Sequence, residues 1–293
     1  MNDFARDQTL SRLEILARCV DGAAKDASNA DAIHDVRVAS RRFVQCLKTF
    51  ASQFDAKALA KVQARMRKLL QRCGAVRNCD VALELLGDVG ISKRSPAVKQ
   101  VSEMRKDAEG KLAEQLKRWA KRDILHDWPK RLFKKGGSKS EGPNLAALTK
   151  ALFTRGQAAA AAGSTHHQMH RFRLRAKAYR YTVEIFVPRY GDAAIEPVMA
   201  GMKELQDRLG EMNDCVSTLE LIEGHARAEH AIGRTLAQRE QAFRAHWKQH
   251  FGTRRRNEWT SIFSATARPS HAQQPGRKRP GNSQRKAAKT SGE

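Results

Sequence analysis

Aromatic residues make up only 6% of this 293-residue chain. That scarcity removes the row of ring platforms on which single-stranded nucleic acid is usually held. No run approaches the ~20 consecutive apolar residues of a membrane span, so no membrane association is expected. The cysteines (Cys19, Cys46, Cys73, Cys79 and Cys215) are odd in number and form no C-x-x-C. They are expected to be reduced, small core residues of a cytoplasmic protein. The opening Met1–Asp7 has no basic stretch leading into an apolar one, so no signal peptide is expected. G-x-x-x-x-G-K-[ST] is absent, which argues against a P-loop nucleotide enzyme. Alternating β-branched residues are scarce, leaving little from which to build strands.

What the chain has in excess is positive charge. Lys and Arg number 55 against 31 Asp and Glu, a formal net charge of +24. Such a balance calls for a polyanionic partner: nucleic acid, an anionic membrane surface or a phosphate polymer. The segment 252–293 holds ten Lys or Arg against Glu258 and Glu293, and apart from Trp259–Phe263 it shows almost no apolar periodicity. It is expected to be a disordered basic tail. Without it the rest of the chain still carries +16, so the basic character belongs to the body of the protein.

That body reads as helix nearly throughout, rich in Ala, Leu, Lys, Arg, Gln and Glu. Helices are expected over about 10–27, from an N-cap at Asp31 to about 52, over 56–73 with a stop at Gly74, from 78 to 87, from Pro96 to about 122, and to Phe133. A Gly/Ser-rich linker, 136–143, follows. The same plan then returns over about 144–161, 168–187, 193–209 with a stop at Gly210, 213–223, and a last long helix to Phe251.

The return is literal. His34-Asp35-Val36-Arg37 and His170-Arg171-Phe172-Arg173 open basic stretches 136 residues apart, ending at Phe50 and Phe186 at the same offset. Leu69–Gly74 answers Leu205–Gly210, and Leu83-Glu84-Leu85 answers Leu219-Glu220-Leu221, again at 136. One register held across separate blocks marks an internal duplication into two halves; solenoid repeats are shorter, roughly 20–50 residues.

At about 100° per residue, His34, Arg37, Arg41 and Lys48 share one helical arc, with Val36, Phe43, Leu47 and Phe50 beside it. In the second copy His170, Arg173, Lys177 and Arg180 form the cationic arc. Lys57, Lys61, Arg65, Lys68 and Arg72 form a further stripe at spacings of three and four. A solvated face usually mixes signs, whereas these faces carry few acids for i,i+4 pairing. Cations crowded on one face repel each other, so a missing anion is implied. Guanidinium forks and ammonium groups suit phosphate oxygens.

A duplicated H-x-x-R-[VIL]-x-x-[RK] helix, each followed by a Gly-x-x-x-[DN] segment, resembles the CHAD family of conserved-histidine α-helical domains. The first copy is His34–Arg42 with Gly74-Ala75-Val76-Arg77-Asn78. The second is His170–Lys177, Arg180, Tyr181 and Glu184, with Leu209-Gly210-Glu211-Met212-Asn213-Asp214. The resemblance covers about 5–251 and shows no separate triphosphate tunnel domain. It implies an all-α fold of two four-helix-bundle-like halves, about 1–135 and 144–251, related by pseudo-twofold symmetry around a basic cleft. It also implies non-catalytic binding of inorganic polyphosphate and association with polyphosphate granules. The motif positions it carries over are His34, Arg37, Arg41, Arg42, Arg67, His170, Arg173, Lys177, Arg180 and Lys203. With Lys48, Lys61, Arg65, Lys68 and Arg72 from the stripes, these are the expected binding residues. Two departures stand out: Val44 and Gln45 replace the Arg180-Tyr181 pair, and Asn78 replaces Asp214.

Rival readings are weaker. Family members are often fused to a triphosphate tunnel enzyme, but its E-x-E-x-K signature is absent. His34-Asp35 mimics the HD dyad of metal phosphohydrolases, yet Arg171 replaces the aspartate in the second copy. His246 with His250, and His166, His167 with His170, have metal-like spacing without a convincing carboxylate or thiolate partner. No metal, cofactor or catalytic residue is expected. General nucleic-acid binding, anchored by Arg254–Arg256 and Arg277–Arg279 of the tail, is the main alternative.

Overall fold

The structure, a computed structural model, describes residues 3–133 and 142–264. Among these, ten α-helices and one short 3-10 turn account for the fold: α1 (Asp3–Lys25), α2 (Ala30–Thr49), the 3-10 turn (Ala51–Gln53), α3 (Ala56–Asp88), α4 (Pro96–Ala120), α5 (Ile124–Leu132), α6 (Leu145–Ala160), α7 (His166–Tyr190), α8 (Asp192–Leu221), α9 (Ala226–His250) and α10 (Thr253–Ser264). The all-helical expectation holds.

Short polar side chains set the starts. Asn29, Asp55 and Asn144 each accept a hydrogen bond at 2.9 Å from the backbone three residues on. Thr165 and Gln168 cap α7 reciprocally. Ser95 caps α4, with Pro96 in its first turn. Asn29, not Asp31, is therefore the cap of the His34 helix.

Two expected helix stops are absent. α3 runs through Gly74 and α8 through Gly210. A glycine ends a helix only where it adopts positive φ, and neither residue does. The Arg37 side chain passes close over Gly74: a Cβ there would stand 3.2 Å from Arg37 Nη1.

Packing follows one scheme twice. α1 packs on α2 and α4, α2 on α3, and α3 on α4, with α5 against α1 and α3. α6 packs on α7 and α9, α7 on α8, and α8 on α9, with α10 against α6 and α8. The halves meet through α2 with α7 and α3 with α8. Buried Phe43, Leu47, Met66 and Leu69 fill the first half; Phe172, Val183, Leu205 and Phe243 fill the second.

The scheme corrects the domain boundary. Residues 253–264 belong to the folded body and occupy the place in the second half that α5 occupies in the first. Trp259 and Phe263 are buried, as are Trp128 and Leu132 of α5. The Trp259 ring packs edge-on against Phe153 and Phe251, with centroids 5.6 and 5.8 Å apart. Gly201 on α8 makes room: a Cβ there would lie 2.7 Å from the indole. Cationic Arg254–Arg256 mask this apolar periodicity in the sequence. The rest of the expected tail, 265–293, and linker residues 136–141 lie outside the described residues. We expect Trp259→Ala to cost about 3–5 kcal/mol of stability, as for other buried tryptophans, measured by denaturant unfolding. A loss under about 0.5 kcal/mol would return this segment to the tail.

Candidate functional site: a buried cationic cluster between the halves

α2 and α7, the two His-x-x-Arg helices, lie side by side and run in the same direction. Arg42 Nε donates to Glu184 Oε2 at 2.8 Å. Gln45 Nε2 donates to Thr182 Oγ1 at 2.9 Å. The Phe50 and Phe186 rings meet with centroids 6.0 Å apart. Equivalent residues meet towards both ends of the seam, Arg37 with Arg173 and Phe50 with Phe186, each pair 136 residues apart, so the copies sit nearly in register.

That register brings the duplicated cations together. Arg37, Arg41, Arg173 and Lys177 act on one another electrostatically, with Arg77 of α3 added beside Arg37. Burial first, and then Arg41, push the Arg37 and Arg173 guanidiniums down to about 10. Both still carry charge at neutral pH. Lys177 is pushed down to about 6 by burial and then by Arg173, Arg41 and Arg37. Asp214 opposes these shifts at Arg173 and Lys177. Asn78 stands at the equivalent place in the first half, so Arg37 faces Cys73 rather than a carboxylate. Arg173 Nε is buried and has no hydrogen-bond partner among the described residues. Partly buried cations held this way normally carry a counter-charge.

The other expected residues divide into groups. His34 and His170 are exposed at the N-terminal side of the cluster, and His170 Nδ1 lies 3.1 Å from Asn213 Oδ1. Arg42 and Arg180 converge on Glu184, at 2.8 and 3.3 Å, and Arg180 Nη1 also donates to Gln206. Burial works against the Arg42 charge, but its hydrogen bond and pairing with Glu184 outweigh that and raise its pKa. Arg42 thereby ties the first half to the second, and Arg180 steadies the shared carboxylate from within α7. Arg67 and Lys203 are exposed, two turns before Gly74 and Gly210 on the same flanks of α3 and α8.

Two sequence groupings are not brought to the cluster. Lys48 lies some 16 Å along α2 from Arg37 and lines a separate cleft with Arg155 and Arg175. The Lys57, Lys61, Arg65, Lys68 and Arg72 stripe points a third to half a turn away from Gly74 on α3. All but half-buried Arg65 are exposed.

Arg77, Asn213 and Asp214 enter the site without having been assigned a role from the sequence. Arg77 and Asn213 occupy equivalent positions with different side chains, so the repeat gives no signal there.

No group of three or more His, Cys, Asp or Glu suited to a metal occurs among the described residues. The His246 and His250 rings lie with centroids 4.6 Å apart at a tilt of 43°, and burial, then Arg208, push His246 down to about 4. Nor is any helix among those residues long and apolar enough to cross a membrane.

The CHAD domain family model matches residues 9–223. The chain belongs to the CHAD family. Two solved structures share its fold. PptA from Streptomyces chartreusis superposes with a TM-score of 0.58 at 14% identity, over 89% of this chain and 98% of that one. The CHAD domain from the plant Ricinus communis superposes with a TM-score of 0.51 at 19% identity, over 88% and 92%. No curated protein matches the sequence. Within this CHAD chain, both motif helices contribute to the cluster, and their arginines, Arg37 and Arg173, lie at its centre.

Proposed function

We propose that this CHAD chain binds inorganic polyphosphate without turning it over, and that it associates through it with polyphosphate granules. The observation that carries this reading is the meeting of Arg37, Arg41, Arg77, Arg173 and Lys177 in partly buried positions with too few acids to neutralise them. Keeping like charges crowded and partly out of water is unfavourable in the free protein. A protein tolerates that cost where a ligand offsets it.

Shape separates the candidate polyanions. Inorganic polyphosphate is a thin chain with charge on every unit and no bases, so it can approach partly buried cations closely. A nucleic-acid duplex carries its phosphates on the outside of a wide helix and reaches mainly exposed cations. The guanidinium forks of Arg37 and Arg173 suit successive phosphoryl oxygens. Arg67, Lys203, His34 and His170 are placed to hold the chain as it leaves the cluster. Lys48 and the Lys57–Arg72 stripe serve, on this reading, as a general field that draws in polyanions.

The tail provides a test. Because α10 is structural, the informative deletion is 265–293 rather than 252–293. Binding of long-chain polyphosphate at about 150 mM salt, where weak surface attraction is screened, is expected to fall by less than about fivefold. Collapse of binding would favour a basic-tail, nucleic-acid-type reading. Phosphate release from polyphosphate with Mg²⁺ or Mn²⁺ is expected to stay at background; release that co-purifies with the protein would remove the non-catalytic part.

A further inference from the structure

A cleft of about 310 Å³ opens beside the central cluster, between α7, α8 and α9. Its volume is at the lower end of that found for small-molecule sites. Arg173 forms part of its wall, so the cleft and the cluster share a cation.

Its lining changes character away from Arg173. His170 and Asn213 stand next, and Met212, Val216 and Leu236 supply an apolar floor. At the far end, two turns and about 10 Å back along α7, His166 Nδ1 faces Glu240 Oε1 at 2.6 Å. Glu220 also lines the wall.

An inorganic phosphate chain finds Arg173, His170 and Asn213 at one end of this cleft and gains little from the apolar floor beyond them. The floor offers it no donors, and Glu220 on the wall repels it. A ligand that fits has phosphate at one end and a largely apolar group bearing N–H or O–H donors at the other. Arg173 Nε, buried without a partner, is a donor available to the phosphate end. Glu220 is an acceptor on the wall at the organic end, while Glu240 is engaged by His166 and by Arg244, at 2.6 and 3.6 Å. The geometry points to a nucleoside polyphosphate as the class of ligand: phosphates on the cluster, ring on the apolar floor. This rests on the reading that the cluster binds phosphoryl groups, and extends it to organic polyphosphates.

The test is calorimetric titration of the full chain with ATP and, separately, with tripolyphosphate, in metal-free buffer at about 150 mM salt. The two ligands have the same number of phosphates, and the inorganic one carries at least as much charge. Electrostatics alone therefore gives tripolyphosphate equal or tighter binding. We expect ATP to bind about tenfold tighter, from partial burial of its ring. Val216→Trp and Leu236→Phe fill the cleft and should abolish that preference with tripolyphosphate affinity unchanged. Val216 is only half-buried, so its variant guards against misfolding at buried Leu236. ATP binding no tighter than tripolyphosphate, or a preference that survives both fillings, overturns the inference and leaves the cluster reading standing. Failure of tripolyphosphate itself to bind counts against the cluster reading, independently of any ATP preference.

Discussion

Replacing Arg37 and Arg173 together with methionine is expected to weaken polyphosphate binding roughly a hundredfold or more and to raise the melting temperature. The two effects share one cause. Each guanidinium is partly buried among like charges, and Arg37 Nη1 passes close over Gly74. Methionine keeps most of the side-chain length and removes the charge. In the free protein this relieves repulsion and desolvation; replacing buried ions by apolar side chains is often worth about 1–4 kcal/mol. For a chain of this size that corresponds to a rise of several degrees. In the complex, each arginine forfeits a charge-assisted hydrogen bond to phosphate, worth about 1.5–3 kcal/mol. Paired measurements of binding and thermal unfolding on one variant check both. A melting temperature that falls along with binding would make these arginines part of the scaffold.

The second large effect is a proton. Lys177 is held at about 6 in the free protein, against an ordinary value of 10.5. At pH 7.5 its amine is mostly neutral, surrounded by Arg37, Arg41 and Arg173, with Asp214 opposing. A phosphate chain reverses that field and favours the ammonium form. Binding near pH 7.5 should therefore take up about one proton, read from the heat of binding in buffers of different ionisation enthalpy. Affinity should rise as pH falls from 8 towards 6. Between pH 6 and about 10 the unfolded chain binds more protons at this position than the folded chain. The contribution of Lys177 to the stability of the free protein therefore becomes more favourable with rising pH across that window. Saturating polyphosphate should flatten the slope. Lys177→Met is expected to remove the uptake. Uptake near zero in the unaltered chain would mean that Lys177 stays neutral and away from the phosphates.

The sequence carried the helical fold and the centre of the cluster for definite reasons. His34 and Arg37 recur at one offset as His170 and Arg173, and such a register is visible without coordinates. Arg77 was not visible as a site residue because its counterpart is Asn213, so the repeat is silent there. The Lys57–Arg72 stripe misled for the opposite reason: helical periodicity shows which residues share a face, not what that face meets. Gly74 and Gly210 looked like helix ends because composition does not reveal φ. The close approach of Arg37 to Gly74 is a long-range contact that composition does not reveal either. The α10 helix was hidden by its charge: Trp259 and Phe263 are buried against α6 and α8, but the arginines around them read as tail. The ion pair that ties Arg42 to Glu184 also depends on the docking of two halves, across a separation of 142 residues.

The most direct test of the account is competition at about 150 mM salt, with labelled long-chain polyphosphate bound to the full chain and challenged by duplex DNA or tRNA at equal phosphate concentration. The account predicts that polyphosphate stays bound to the unaltered protein and is released when Arg37 and Arg173 are both methionine. Easy displacement by nucleic acid, or retention by the double variant, would contradict a dedicated polyphosphate site between the two halves.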